Sequence, residues 1–281
     1  MLRILERNIA SIEERLVLLA PAQANIPRNF SNVTVDSDSS ARLIREMQRL
    51  RGAVYLGEGN VRSEQLTSDG LHQTPEDARS WHLLMTDGRG GVSACAWYLE
   101  HGNTATIEDL RVKNCPLAKL DDWSEFLRSA VNSELARARR DNLGYGEFGG
   151  WAVSKERRGT PECLMLALAS YALCRSLGGA LAITTANVKH GSASILRRLG
   201  GAFLESGGKT VPSYFDARYN ADIELLRFDS RTPSPKYVGL IDMFSRRLSN
   251  VPVFSAAAST HATVPYWVVP TEQTAGVALA S

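Results

Sequence analysis

Residues 144–201 constrain the fold more than any other stretch. Tyr145–Val153 (Y-G-E-F-G-G-W-A-V) reads as a strand that runs straight into the polar turn Ser154–Gly159 (S-K-E-R-R-G). A nearly continuous apolar helix follows over Leu164–Leu177. Then come a second strand, Ala180–Thr185, and a second helix, Asn187–Gly200, closed by glycines. A strand–helix–strand unit of this kind lays two parallel strands side by side with a right-handed crossover. The first helix is apolar on nearly every side, as a helix buried against a sheet must be. The Arg-Gly turn before it leaves backbone N–H groups at the positive end of the helix dipole, which suits a phosphate.

The flanking sequence supplies partners for this unit. Leu2, Leu5, Ile9, Ile12, Leu16 and Leu19 recur at steps of three and four, which predicts an amphipathic helix over Met1–Leu19. Its apolar face would pack on the domain or on a second copy, making a homodimer. Asp38–Gly52 is a second helix, capped by Ser39 or Ser40, with Leu43, Ile44, Met47 and Leu50 as its stripe. Residues 54–77 are long and irregular, the length at which loops are usually functional. Trp81–Thr86 and Val92–Leu99 form a hairpin around D-G-R-G-G, and Thr104–Val112 alternates imperfectly as a weaker strand. Asp122–Arg140 is a helix with Trp123, Phe126, Leu127, Val131 and Leu135 inward. Ala202–Glu205 and Ala221–Phe228 are closing strands, and Tyr237–Leu248 is a late helix. The expected divisions are an N-terminal helix and linker at 1–37, one main domain at 38–250, and a poorly ordered, weakly charged tail at 251–281.

Composition excludes more than it selects. With 32 basic and 30 acidic side chains the net charge is +2, so nothing electrostatic argues for nucleic acid or an anionic membrane. Cys95, Cys115, Cys163 and Cys174 form no C-x-x-C pair and have no histidine cluster beside them. They read as reduced thiols in a cytoplasmic protein, and no metal is expected. Leu16–Ala20 is too short for a signal peptide core, and no run is long enough for stable membrane insertion.

The element order over about 38–229 resembles the GNAT superfamily of N-acyltransferases. Leu50–Gly59 (L-R-G-A-V-Y-L-G-E-G), D-G at 69–70, Asp77 and W-H-L-L at 81–84 look like the front half of acyl-homoserine-lactone synthases and N-acyl amino acid synthases. Glu147–Val153 lines up with their E-x-S-R-x-x-V strand, with Gly149 and Gly150 in place of Ser and Arg. The resemblance implies an α/β (α+β) fold: a mixed, mostly antiparallel central sheet flanked by helices, here with an extra N-terminal helix. It implies an acyl-CoA or an acyl carrier protein's phosphopantetheine-linked acyl group as donor. The pantetheine would lie along Trp151, Ala152, Val153 and Ser154. Its phosphates would meet Arg157, Arg158, Gly159 and Thr160, with Asn187 opposite. The family's phosphate loop, Q/R-x-x-G-x-G/A, appears here as E-R-R-G-T-P, and Pro161 donates no N–H. Leu196 stands where many GNAT acetyltransferases have a tyrosine acid.

Acyl transfer to an amine needs the amine deprotonated, the oxyanion held and the thiolate released. Glu147 is the expected base, on the strand that faces the acyl group in relatives. His190 is placed to protonate the thiolate. Glu108 and Asp109, on the adjoining strand pattern, would hold the amine, and Arg51 would clamp a substrate carboxylate. Tyr55 and His82 read as core. A basic patch of Lys155, Arg157, Arg158, Arg197 and Arg198 offers a carrier protein a landing surface. The expected function is therefore N-acyl transfer from a CoA or carrier-protein thioester to an amine, amino acids included. The alternative is a GNAT-shaped binding or regulatory module with a decayed cofactor site. The changes at Gly149, Gly150, Pro161 and Leu196 favour that alternative.

Overall fold

The computed structural model describes residues 2–87, 89–189 and 191–257. Six helices are α1 (Leu2–Ala10), α2 (Ser37–Gly57), α3 (Asp121–Arg140), α4 (Glu162–Ser176), α5 (Ser192–Leu199) and α6 (Val238–Leu248). Early strands are β1 (Leu16–Ala20), β2 (Val33–Val35), β3 (Trp81–Thr86), β4 (Val92–His101), β5 (Gly144–Val153) and β6 (Ala180–Asn187). Late strands are β7 (Ala202–Phe203), β8 (Glu205–Ser206), β9 (Lys209–Thr210), β10 (Tyr214–Asp216), β11 (Ala221–Asp229) and β12 (Val253–Ser255).

Ten strands make one sheet in the order β10-β11-β6-β5-β4-β3-β1-β12-β2, with β7 beside β11; β8 and β9 form a separate hairpin. Pairing is antiparallel except where β5 meets β6, β1 meets β12 and β12 meets β2. The sheet is thus mixed and mostly antiparallel, as expected. One face is covered by α1, α4, α5 and α6, whose apolar residues close over Leu83, Tyr98, Ala182 and Leu226. On the other face, α3 packs on Tyr145, Leu181, Ile183 and Leu225, while α2 packs on Leu19, Leu84 and Cys95.

Three expectations change. The N-terminal helix stops at Ala10, and Leu16–Ala20 is a sheet strand between β3 and β12. Leu16 and Leu18 enter the core under α4 and α6, while Leu19 enters the one under α2. A short continuous apolar run is what a strand buried on both faces requires, and helical spacing cannot separate the two cases. Thr104–Val112 is no strand but the start of three successive 3-10 turns, Ile107–Asp109, Arg111–Asn114 and Pro116–Lys119. Thr106 and Asp109 cap each other there, and that local exchange competes with a ladder. Beyond residue 250, Val253–Ser255 is a buried strand flanked by β1 and β2 rather than tail. Residues 258–281 lie outside the described part. A smaller change is that Asp36, not a serine, caps α2 by accepting the N–H groups of Asp38 and Ser39.

Val253 has no exposed surface. Val253→Ala should therefore cost about 1–3 kcal/mol through lost burial and a residual cavity. The expected result is a lower urea midpoint with an unchanged m-value.

Candidate active site

Strands β5 and β6 run parallel from Gly144 beside Ala180 to Phe148 beside Thr184, and then part. Thr184 Oγ1 donates to the Phe148 carbonyl at 2.8 Å where they separate. Beyond this fork, Gly149–Val153 and Thr185–Asn187 line a cavity of about 570 Å³. It is walled by α2 on one side of the sheet and by α4 and α5 on the other.

The outer edge of β5 stays paired with β4 but is bulged. Trp97 faces Gly149 and Cys95 faces Ala152, so Gly150 and Trp151 together oppose Ala96. Gly150 has φ +63°, and a Cβ on either Gly149 or Gly150 would come within 2.2 Å of the Trp97 indole. Both positions therefore demand glycine. The Cys95 thiol donates to the Gly150 carbonyl at 3.3 Å, and the Tyr55 hydroxyl donates to the Trp151 carbonyl at 3.4 Å. Burial pushes the Cys95 thiol up to about 12, so it stays protonated as a donor.

The cavity has an apolar half and a polar half. On the α4 and α5 side it is lined by Phe148, Leu166, Tyr171, Ile195, Leu196 and Phe228. The Phe228 ring takes Phe148 and Tyr171 edge-on at 6.1 and 5.9 Å. On the α2 side stand Arg51, Glu58, Asn60, His72, Trp97 and Arg111. At the mouth, Arg157, Arg158, Gly159 and Thr160 line the approach to the start of α4. The first N–H groups of any helix have no partner within it. Arg158 reaches Glu58 at 2.8 Å, joining this loop to the end of α2.

Of the residues expected at a donor site, Trp151, Ala152, Val153, Arg157, Arg158, Gly159, Thr160 and Asn187 all line the cavity. Ser154 does not; its N–H pairs with the Ser93 carbonyl. His190 lies outside the described residues. Glu147 is placed against its expected role. It shares the α3 face of β5 with Tyr145 and is 4% exposed. Its carboxylate accepts the backbone N–H groups of Arg111 at 2.9 Å and Val112 at 3.1 Å, and faces His101 Nε2 at 3.0 Å. It is absent from the cavity wall and cannot receive a proton from anything bound there. Glu108 is exposed and paired with Arg128, and Asp109 is spent on capping Thr106. Neither meets the cavity, because the strand expected to carry them is a turn.

Arg51 does line the cavity, but as an internal strut. It is 1% exposed, donates to both Asp77 oxygens at 2.9 and 2.7 Å, and also donates to the His72 carbonyl. Gln48 completes the cage around Asp77 at 2.9 Å. Burial alone would raise the Asp77 carboxyl, but the Arg51 guanidinium outweighs it and holds the group below its ordinary range. His72, Arg111 and Asn60 were not singled out from the sequence. They come from irregular segments with no periodicity to mark them.

Burial pushes His72 down to about 4, helped by the nearby Arg51 charge, so its imidazole is neutral. Burial does the same to His82, whose Nε2–H donates to the Asp77 carbonyl at 2.8 Å. An unfolded imidazole takes up its proton near 6.5. Below that pH the unfolded state binds more protons than the folded state. Stability is therefore full above about pH 7 and is lost as pH falls through 6.5 towards 4. For His82 the expected loss between pH 7 and pH 5 is about 2 kcal/mol, read from urea midpoints. The slope should shrink in His82→Gln.

No family model and no curated protein matches the chain. Among solved structures it is similar to BjaI, a CoA-dependent acyl-homoserine lactone synthase described with SAM and isopentyl-CoA. That match has TM-score 0.51 and 15% identity, over 90% of this chain and 96% of that one. It is also similar to MesI, another CoA-dependent acyl-homoserine lactone synthase, with TM-score 0.50 and 13% identity, over 84% of this chain and 96% of that one. At such identities the likeness is one of fold. The chain has the fold of the GNAT-type acyltransferases.

Proposed function

We propose that the protein is an N-acyltransferase that moves an acyl group from a CoA thioester to an amine. The observation that carries this reading is the fork between β5 and β6. It leaves one edge of β5 unpaired along a cavity that is apolar at one end and polar at the other. An extended pantetheine chain can add to that edge as a strand would, by main-chain hydrogen bonds. The arginines at the start of α4 then meet the phosphates, and the apolar half takes the acyl chain. The neighbours BjaI and MesI are described as CoA-dependent, which favours CoA as donor over a carrier protein.

In the transfer, the amine nitrogen attacks the thioester carbonyl carbon, and the oxyanion forms beside the bulged backbone of Gly150 and Trp151. The C–S bond then breaks, the amide forms, and the proton lost by nitrogen ends on the thiol sulfur. Glu147 has no part in that proton's path. Among the described titratable groups on the polar wall, His72 is a weak base with its pKa near 4, and Glu58 is engaged by Arg158 and Asn60. The amine therefore reacts in its free-base form, drawn from solvent in the open cavity.

The test is thiol release from acetyl-, octanoyl- and palmitoyl-CoA, and from an acyl carrier protein, with a panel of amines, the amide being identified by mass spectrometry. Turnover should rise with pH through the acceptor amine's own pKa. The double change Arg157→Ala and Arg158→Ala should weaken donor binding about 10- to 100-fold, the worth of one or two charge-assisted hydrogen bonds, and shift the melting temperature little. Donor binding unaltered by that change would place the site elsewhere. Absence of turnover with every donor and amine would leave the binding-module reading.

A further inference from the structure

We propose that Cys95 and Tyr55 are positioning residues for the acyl-transfer centre: by taking the carbonyls of Gly150 and Trp151 they turn the N–H groups of the β5 bulge towards the fork. This rests on the acyl-transfer reading above, with the oxyanion beside the same bulge.

The ladder between β4 and β5 sets most of the directions. The Ser154 N–H donates to the Ser93 carbonyl at 2.8 Å. Along an antiparallel pair, bonded positions alternate with positions that turn away. By that alternation Cys95 and Trp97 also face β5, opposite Ala152 and Gly149. Gly150 and Trp151 lie between these two pairs, so three peptide units span the gap. In each unit the C=O and N–H are coplanar and point opposite ways. The Gly149 carbonyl turns to β4, which sends the Gly150 N–H towards the fork. The Ala152 N–H turns to β4, which sends the Trp151 carbonyl outward. The middle unit, from Gly150 to Trp151, has no place in the ladder and is free to take either direction.

Cys95 sets that direction. Its thiol lies on the β4 side of the bulge, 3.3 Å from the Gly150 carbonyl, and draws that oxygen back. The Trp151 N–H therefore points away from β4, beside that of Gly150. Two adjacent donors then face the unpaired edge, where negative charge builds on the thioester oxygen during attack. A reversed unit would present a carbonyl oxygen to that charge. Gly150, with φ +63°, makes such a reversal easy, so the unit needs a latch. The Trp151 carbonyl is the other hazard, because the ladder points it outward. Tyr55 reaches over from α2 and donates to it at 3.4 Å. Cys95 is 1% exposed among Leu19, Leu43 and Leu84, and burial keeps its proton on sulfur, so the latch stays a donor.

The experiment uses the full chain and two unreactive CoA ligands, titrated calorimetrically. One is the amide analogue of decanoyl-CoA, whose carbonyl stands where the thioester's would. The other is S-decyl-CoA, which has no carbonyl. The parent should bind the first at least about tenfold more tightly. Cys95→Ala should remove about tenfold of that preference and Tyr55→Phe about threefold, with Cys95→Ser retaining part of it and S-decyl-CoA changing by no more than about twofold. With carbonyl-13C ligand, the bound carbonyl resonance should move upfield in both variants, as it does when hydrogen bonds to the oxygen weaken. In steady-state assays, Cys95→Ala should lower kcat about 10- to 100-fold with the donor KM nearly unchanged. Equal weakening of both ligands would make the two side chains merely structural and overturn the proposal. So would a parent indifferent to the carbonyl, or a preference and a resonance that survive both variants. If Cys95→Ala fails to fold, Tyr55→Phe, which loses one hydroxyl, decides alone. If the parent transfers no acyl group to any amine, the transferase reading fails, while the calorimetry and the resonance still decide which way the bulge is aimed.

Discussion

The architecture turns on the parting of two parallel strands in the middle of a sheet. Backbone N–H and C=O groups released from a ladder must find partners or cost free energy comparable to lost hydrogen bonds. This fold meets part of that demand internally. Thr184 takes the Phe148 carbonyl at the fork, Cys95 takes that of Gly150, and Tyr55 takes that of Trp151. What remains is an unpaired strand edge facing a cavity, which is a template for an extended amide-bearing ligand. The same feature that opens the sheet creates the recognition surface.

The glycine pair on β5 shows how the polar half is assembled. A serine and an arginine would be expected at positions 149 and 150 from the strand pattern of similar synthases. The chain instead leaves both positions without side chains, and Trp97 fills the space. A guanidinium still reaches this wall, delivered by the turn that begins at Arg111. Arg51 and Asp77 perform a different task. A buried ion pair is a poor source of net stability, because desolvating both charges offsets their attraction. Its use here is geometric. It ties the irregular stretch carrying His72 and Asp77 to α2, and so fixes the outer wall against β4 and β5.

Much of this was legible in the sequence. The unit of β5, α4, β6 and α5 was readable because its apolar runs are long and its breaks are glycine-marked, and most residues expected along a donor line the cavity, Ser154 excepted. The hairpin of β3 and β4 was equally plain. Failures came where two local codes overlap. Leu16 and Leu19 satisfy a helical step and also a doubly buried strand, and only the partners β3 and β12 decide between them. Thr106–Asp109 looked alternating, yet its side chains prefer each other to a ladder. Glu147 was assigned to the right strand and the wrong face. Strand parity pairs it with Tyr145, but the sequence alone does not say which face holds the cavity. Arg111 and His72 sit in irregular segments, where only length gave a signal.

Leu196 bears on the chemistry through the same logic of what each step needs. It lines the apolar half, where a tyrosine would have offered a proton to the departing sulfur. A thiol's pKa is near 8.5, so a thiolate leaves readily near neutral pH without an acid. The tetrahedral adduct is harder to steer. While its nitrogen keeps the extra proton, nitrogen is the better leaving group and the adduct reverts. Once nitrogen has lost that proton, sulfur leaves and the amide forms. The demanding event is proton loss from nitrogen, on the polar side of the cavity, remote from Leu196. With an aliphatic residue at 196 and an open polar wall, solvent still reaches the side of the cavity where that proton would leave. Under the proposed transfer, an apolar residue at 196 would serve the acyl chain, extending the surface formed by Ile195, Leu166 and Phe228.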